Sequence, residues 1–552
     1  MRCFSMIQVR DLANDLHNAA ERIVHCGEKK IQHEVLQSLP EAMRQAHLTQ
    51  RVHIHDLEFF DDTYNCLGTT VEKLIGQGAF SFRQALRTLV REITWVENCQ
   101  SGGLSLINFD IDMAAYVTDC DELSDMVEDL KEFFLDLNMY TRKGCEKPYV
   151  TLNLGLGTSE NARLITMATL QAFRSGNQGR PFIFPNIVFK VKEGINHSLH
   201  DVNYDLYQQA LQTTALCMIP TYFNCNSTAN RTAEAEKIGI MGCRSRVVAD
   251  RFGKDTSISR GNIACTTINL PQLALESDGD SKAFYQKLDD MMTLSRDLLL
   301  LRYERLIAHG NVSFLFTKNL YVGAETQDVR ETLKHGTLAV GFIGLWDALG
   351  ILYHTDWPTA DAMMPYQEKA LDVVRHMRQM TDWFIEQTGL NFSLLASSAE
   401  GVTGNFAAFD QDHLGKGKVV SEKGYYTNSF HVPVDTKATV FQKTKLEGPF
   451  HALCNGGSIT YVELGEMPDG NAEAVQDIID CALKQDCNYI GVNFPLDYCM
   501  DCGCRGRLGD TCPQCGSTKI KRLRRVSGYL SDEDHLTTGK HHEMSQRKAN
   551  LF

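Results

Sequence analysis

The sequence predicts an α/β body followed by a small cysteine-rich module. Short β-branched runs such as Phe182–Phe189 and Ile263–Leu270 alternate with longer amphipathic stretches such as Ala283–His309 and Thr359–Thr388, as a buried sheet and its crossover helices require. Composition changes only near residue 491, where apolar sequence gives way to two closely spaced cysteine pairs. The 552 residues are 43% hydrophobic and 22% charged, enough for a soluble body with ample core.

Taken in order, residues 1–50 read as a helical segment, with apolar positions at helical spacing in Asp11–Val24 and Ile31–Met43. Residues 51–490 form the body, 491–522 a metal module and 523–552 a glycine loop with its tail. Within the body, Leu338–Tyr353 is the most apolar stretch. It contains Asp347 and several glycines and falls short of the roughly 20 apolar residues a membrane span needs, so it reads as core. The opening residues have no signal-peptide layout, and the expectation is a cytoplasmic protein without membrane contact.

A formal net charge of −14 argues against a general nucleic-acid binder, which needs a broad basic surface. It leaves nucleotides open as ligands, because a few arginines or one helix N-terminus can hold a triphosphate. Eighteen cysteines in a chain of this size point to metal, redox or core roles and not to a disulfide scaffold.

Four of them are spaced for a metal. Cys499 and Cys502 form one CxxC pair, and Cys512 and Cys515 form the second, with nine residues between the pairs. That spacing suits a tetrahedral Cys₄ zinc site, in which one ion crosslinks two turns that have little core of their own. Cys504 stands two residues after Cys502, a poor spacing for joint ligation, and is left out. A redox dithiol pair or a nucleic-acid-binding zinc ribbon are the alternatives. Lys519, Lys521, Arg522, Arg524 and Arg525 give the ribbon some weight, but no aromatic residue interleaves them for base stacking.

Beyond the cysteines, Gly528 sits in Arg525-Val526-Ser527-Gly528-Tyr529-Leu530. Alone this would be an ordinary turn. Further motifs are His53-Ile54-His55-Asp56-Leu57, Asn65-Cys66-Leu67, Gly102-Gly103, Asn108-Phe109-Asp110 and Pro185–Phe189. Met241-Gly242-Cys243-Arg244, Arg260–Ile263, Ile268–Pro271, Gly341–Leu345, Ala399–Gly401, Tyr426–Ser429 and Gly456-Gly457 follow in order. The set resembles the anaerobic (class III) ribonucleotide reductases, a family of glycyl radical enzymes, from about residue 50 to the C-terminal tail.

That resemblance implies a ten-stranded α/β barrel of two five-stranded halves, with a central finger loop, a C-terminal Cys₄ zinc site and a glycyl radical loop. It implies reduction of ribonucleoside triphosphates to 2′-deoxyribonucleoside triphosphates for DNA precursor synthesis. Gly528 would carry the radical, Cys243 the thiyl, and Cys66 would be the second, substrate-facing thiol. Met241 would accompany Cys243. Cys265 is an extra cysteine that either pairs with Cys66 or is an inert strand thiol. His53 and His55 are substrate-side groups or core histidines; two residues apart on a strand, they would share a face.

The expected partners are dNTP or ATP effectors setting specificity, a second copy of the chain, and a reductant that is formate or a thioredoxin-like dithiol protein. Formate is the first expectation, because Cys265 has the weaker motif support. The sequence has no CxxxCxxC motif, so a separate radical S-adenosylmethionine activase would install the radical. Three departures stand out: Ser527 before the glycine, Leu104 where glutamine is common, and a helical opening that leads directly to His53 without the ATP-cone of many relatives. The rivals are another glycyl radical enzyme, of acyltransferase or dehydratase type, and a non-catalytic zinc-ribbon protein. Acyltransferases of that kind have two adjacent cysteines in the finger loop, whereas Cys243 lies between Gly242 and Arg244.

Overall fold

A computed structural model describes residues 20–551 except 79, 178, 179, 399, 416–422 and 527. The start of the expected Asp11 helix and Ser527 therefore lie outside the described residues. The N-terminal segment is helical over Glu21–Ser38 and Glu41–Leu48.

Among the described residues eleven strands build the body. They are β1 (Val52–Ile54), β2 (Leu67–Thr69), β3 (Leu104–Leu106), β4 (Val150–Leu154), β5 (Asn186–Val191) and β6 (Thr221–Asn224). They continue with β7 (Asn262–Asn269), β8 (Thr337–Ile343), β9 (Asn391–Ala396), β10 (Thr460–Glu463) and β11 (Tyr489–Asn493). Hydrogen bonding groups them as a seven-stranded sheet, β10-β11-β6-β5-β4-β3-β2, and a four-stranded sheet, β1-β7-β8-β9.

Strands β2 to β6 run parallel to one another, as do β7 to β9, while β11 lies antiparallel to β6. Isolated bridges link the two sheets: Gly68 of β2 with Arg260, just before β7, and Leu395 of β9 with Gly457, just before β10. The architecture is mixed α/β, as expected. The ladders do not draw one continuous ten-stranded cylinder, because β1 adds an antiparallel strand on β7 and the second half is shared between the sheets.

The amphipathic stretches form the covering layer. Ser281–His309 is one long helix whose N-terminal amides Lys282 and Ala283 are capped by Asp280, and Phe82–Glu97 starts with a Ser81/Gln84 capping box. The Leu338–Tyr353 stretch divides into β8 and the helix Leu345–Tyr353, both buried. Among the described residues no helix is long and apolar enough to cross a membrane.

The inner face of the sheet explains why several strands carry polar residues where both faces are buried. Ser105 Oγ and Asn153 Nδ2 donate to the Ile240 carbonyl at 2.6 and 3.1 Å. Thr151 Oγ1 and Asn186 Nδ2 both donate to the Gly242 carbonyl at 3.3 Å. These side chains satisfy a loop, residues 225–261 between β6 and β7, that runs through the interior. Irregular backbone buried there would otherwise leave its amides and carbonyls unpaired at a cost of roughly 1–3 kcal/mol each.

The C-terminal module is a separate four-stranded sheet, in the order β13-β12-β14-β15. Its strands are β12 (Leu496–Cys499), β13 (Arg505–Gly506), β14 (Ile520–Arg525) and β15 (Leu530–Asp532). The β14–β15 hairpin places Gly528 in its turn, and the cysteine pairs lie at the opposite end of β12 and β14. The five steps from Ile520 to Arg525 span about 17 Å of strand, so the two features are mechanically linked but well separated.

Candidate active site and metal centre

The interior loop turns back on itself at Gly242-Cys243-Arg244. Met241 and Ser245 exchange both backbone hydrogen bonds at 2.9 and 3.1 Å, which leaves three residues for the tip, and Gly242 takes φ +57°. A left-handed residue there is what lets so tight a tip form, and it costs glycine little. Arg244 is buried and donates to the carbonyls of Ala396 and Ser397 at 3.2 Å, pinning the tip to β9. Cys243 Sγ donates to Ser398 Oγ at 3.4 Å.

Gly528 meets this tip from the other side. A Cβ built on Gly528 would lie 1.8 Å from the Cys243 carbonyl oxygen and 2.5 Å from the Cys243 Cα. Backbone therefore rests on backbone, and no larger residue fits without moving one of them. The turn is closed by Val526 N donating to the Tyr529 carbonyl at 3.1 Å. Tyr529 packs edge-on against Tyr149, with ring centroids 4.9 Å apart, and its hydroxyl donates to Glu400.

A cavity of ≈ 320 Å³ opens beside Cys243, within the size range of small-ligand pockets. Cys66, Cys243, Cys265, Met241, His55, Asn65, Gly102 and Gly103 line it, with Asn262, Ser398, Glu400 and Tyr529. Cys66 Sγ donates to Asn65 Oδ1 at 2.5 Å, and Asn65 Nδ2 donates to Asp56 at 2.6 Å. Burial raises the pKa of both Cys66 and Cys265 well above the usual thiol range. Both keep their hydrogen, which suits hydrogen-atom chemistry and not attack by a thiolate.

The glycine pair is held close to these thiols. A Cβ on Gly102 would lie 2.6 Å from Cys66 Sγ. Glu97, wholly buried, accepts from the Leu104 and Tyr149 amides at 2.6 and 2.9 Å and faces Arg142 at 3.8 Å. Desolvation raises its pKa, partly offset by Arg142. Sequence reasoning missed Ser398, Glu400 and Tyr149 as cavity residues, and Glu97 as the buried carboxylate that holds the Leu104 and Tyr149 amides. Leu104, the departure noted in the glycine segment, turns into the main apolar core and does not line the cavity.

Of the two strand histidines only His55 reaches the cavity. Its Nε2 bonds Thr267 Oγ1 at 2.7 Å, and Thr267 Oγ1 bonds Ser397 Oγ at 2.7 Å. His53 sits behind it, with ring centroids 4.7 Å from His55 and 5.3 Å from His47. Desolvation, then the neighbouring rings, lowers the His53 pKa well below its usual value. The two rings therefore lie against each other, but only one of them is at the site.

At the far end of the module the sulfurs of Cys499, Cys502, Cys512 and Cys515 all lie within 4.8 Å of one another. Two of the pairs, Cys499–Cys515 and Cys502–Cys512, are 3.6 Å apart. A tetrahedral ion with bonds of about 2.3 Å to sulfur needs edges of about 3.8 Å, so these four thiols could hold a metal. Each CxxC turn ends on a glycine in the left-handed region, Gly503 at φ +73° and Gly516 at φ +74°. Their amides return to the carbonyls of Cys499 and Cys512 at 2.9 Å. Cys504 is outside the four-sulfur group.

The neighbouring basic run does not present an unbroken positive surface. Lys519 pairs with Asp501 at 3.3 Å, Arg522 with Asp510 at 3.0 Å and Arg524 with Asp497 at 2.8 Å. Lys521 pairs with Asp534, and Arg525 turns into the protein.

Known proteins resemble this chain in sequence and in fold. The family model for anaerobic ribonucleoside-triphosphate reductase matches residues 11–549. The anaerobic ribonucleoside-triphosphate reductase of Salmonella typhimurium is 30% identical over 93% of this chain and 79% of its own. That of Enterobacteria phage T4 is 28% identical over 92% of this chain and 91% of its own. Among solved structures, the Thermotoga maritima anaerobic ribonucleotide reductase in complex with dATP and CTP superposes with a TM-score of 0.73 at 16% identity. It covers 98% of this chain and 94% of that one. A match over nearly the whole length, carried by sequence and by fold, shows that the chain belongs to the anaerobic ribonucleoside-triphosphate reductase family of oxidoreductases.

Proposed function

We propose that Gly528 stores an unpaired electron, that Cys243 relays it to a ribonucleoside triphosphate, and that Cys66 faces the ribose from the other side of the cavity. What supports this reading is one contact: the Gly528 and Cys243 backbones touch, at the edge of a cavity that Cys66 and Cys265 also line. The Gly528 radical takes the hydrogen atom of the Cys243 thiol, and the thiyl takes the 3′ hydrogen of the ribose. The 2′ hydroxyl leaves as water with one proton, a reductant supplies two electrons and a second proton that becomes the new hydrogen on C2′, and Cys243 returns its hydrogen to C3′. Gly528 then gives a hydrogen back to Cys243 and regains the radical. Fixing these atoms in contact and away from water is the protein's main contribution.

By likeness to the Thermotoga maritima enzyme solved with dATP and CTP, nucleotides would serve this chain as substrate and as effectors; membership of the family suggests, in addition, that two copies form a homodimer. A separate radical S-adenosylmethionine enzyme would install the radical, and the chain would work in the cytoplasm. The test is anaerobic activation followed by electron paramagnetic resonance and by assay of the four ribonucleoside triphosphates for deoxynucleotide formation. A doublet with turnover is expected; an activated protein with a doublet and no turnover on any of the four would overturn the substrate assignment.

The reductant turns on Cys265. Its place in the cavity with Cys66 supports a dithiol route, in which the pair is oxidised to a disulfide once per turnover. That route requires the two Cα atoms to come within about 4.4–6.8 Å. Cys265→Ala is then expected to stop multiple turnover with a thioredoxin-like protein by more than about a hundredfold. Formate-dependent turnover that survives in Cys265→Ala would defeat the dithiol version.

We assign zinc to the four cysteines, at one ion per chain, as a clamp on the end of the hairpin that carries Gly528. Cys512→Ser is expected to lose the ion and abolish activation, while the body keeps its helix content by circular dichroism. Metal-free protein that activates normally would rule this out.

A further inference from the structure

Arg525 ends β14, three residues before Gly528, and its guanidinium is almost wholly buried. Its Nε donates to Asn493 Oδ1 at 2.6 Å, its Nη2 to the Met218 carbonyl, and its Nη1 reaches the Gly528 carbonyl at 3.4 Å. Among the described residues it forms no ion pair. Glu463 is the carboxylate facing it, with Tyr461, Tyr489 and the cation of Arg547 around it. Burying a cation on neutral acceptors alone is expensive, so the surroundings must hold it there. Glu463 and the two phenol oxygens favour the cation, while Arg547 opposes it by charge and fixes its backbone, its Nη2 donating to the Arg525 carbonyl at 3.2 Å and to Glu543 at 2.9 Å.

Given the reading that Gly528 carries the radical, we propose that Arg525 is its positioning residue, holding the Gly528 carbonyl in plane and drawing spin density onto it. An electron on a glycine Cα is shared between the amide nitrogen, which donates, and the carbonyl, which accepts. The sharing requires the peptide groups on both sides to be coplanar with Cα. A cation at the carbonyl oxygen lowers the energy of the accepting orbital, so it lengthens the radical's life and reduces the spin left on Cα. Arg525 stays protonated throughout, and no atom passes through it. A neutral donor would orient the carbonyl without this pull, because a charge-assisted hydrogen bond is roughly twice as strong as a neutral one.

The test uses the full-length, metal-loaded protein after anaerobic activation. In wild type labelled with ¹⁵N-arginine, electron–nuclear double resonance is expected to show a coupling between the radical and an arginine nitrogen. Arg525→Met is expected to widen the α-hydrogen splitting and shorten the radical half-life about tenfold, the scale of one charge-assisted hydrogen bond. Arg525→Lys is expected to fall between the two. No arginine coupling in wild type, or a splitting and half-life unchanged in folded Arg525→Met, would overturn the proposal. The wild-type measurement stands even if Arg525→Met fails to fold. Glycine deuteration separates this failure from the deeper one: a doublet that does not narrow on deuteration is not a glycine radical, and the reading of Gly528 falls with it.

Discussion

Gly528→Ala is expected to yield no radical signal after anaerobic activation and to reduce deoxynucleotide formation by more than about 10⁴-fold, the scale on which loss of a reacting group acts. Two effects act together. The added methyl would sit 1.8 Å from the Cys243 carbonyl oxygen, and the object it strikes is backbone, which cannot rotate away. The hairpin turn or the loop tip must shift, and the distance over which a hydrogen atom can pass grows with the shift. The methyl also crowds the planar arrangement the radical needs. Metal content and circular dichroism separate these local effects from loss of the module: both are expected to match wild type, since the four cysteines lie about 17 Å of strand from the turn. A doublet of normal intensity in Gly528→Ala would place the radical elsewhere. Wild type grown on α-deuterated glycine gives the complementary result, because deuterium's smaller magnetic moment collapses the doublet.

The sequence made parts of this site legible because their chemistry is local. Two CxxC turns declare a four-sulfur group by spacing alone, and the glycines after each pair, Gly503 and Gly516, fit the left-handed turn that aims the sulfurs. Cys243 was expected on a loop tip through the family resemblance alone, whereas the alternation of β-branched runs with amphipathic stretches gave the α/β class. What could not be read depends on contacts between distant segments. The Tyr529 hydroxyl meets Glu400 across 129 residues, and Cys243 meets Ser398 across 155; no local pattern marks either pair. The basic run 519–525 looked like a free surface because its acidic partners Asp497, Asp501, Asp510 and Asp534 are scattered before and after it. Leu104 stands where glutamine is common, yet in β3 its side chain is core, because the cavity is lined by Gly102 and Gly103 just before it. Strand order was beyond reach for the same reason. The bridges Gly68–Arg260 and Leu395–Gly457 join segments whose sequences say nothing about one another.

The interior loop also shows why polar residues in buried strands should be weighed as evidence for a filled barrel. Ser105, Thr151, Asn153 and Asn186 would be faults in an ordinary α/β core, where parallel strands are nearly continuous apolar runs. Here each donates to the loop that brings Cys243 to the centre. Their cost is offset by the carbonyls they satisfy. The resulting tip is rigid on three sides, held by β4 and β5 through Gly242, by β9 through Arg244, and by the turn of Gly528.

That rigidity is why Cys243→Ser should separate the two halves of the chemistry cleanly. Serine has nearly the shape of cysteine, so the tip, the contact with Gly528 and the Ser398 partner should all persist. Its O–H bond is much stronger than an S–H bond, so the Gly528 radical cannot draw a hydrogen atom from it. Activation is therefore expected to give a doublet of wild-type intensity, while deoxynucleotide formation falls by more than about 10⁴-fold. Solvent exchange gives a second readout that needs no substrate. A thiol exchanges its hydrogen with D₂O, and a relay between Cys243 and Gly528 would carry that deuterium to the glycine Cα, narrowing the doublet with time. The narrowing is expected in wild type and not in Cys243→Ser, because the serine hydroxyl, though deuterated, cannot return an atom to the glycine. Absence of the radical in Cys243→Ser would mean that the thiol is needed during activation itself. Narrowing at the wild-type rate would mean that another group, such as Cys66 or Cys265 in the same cavity, passes hydrogen to Gly528.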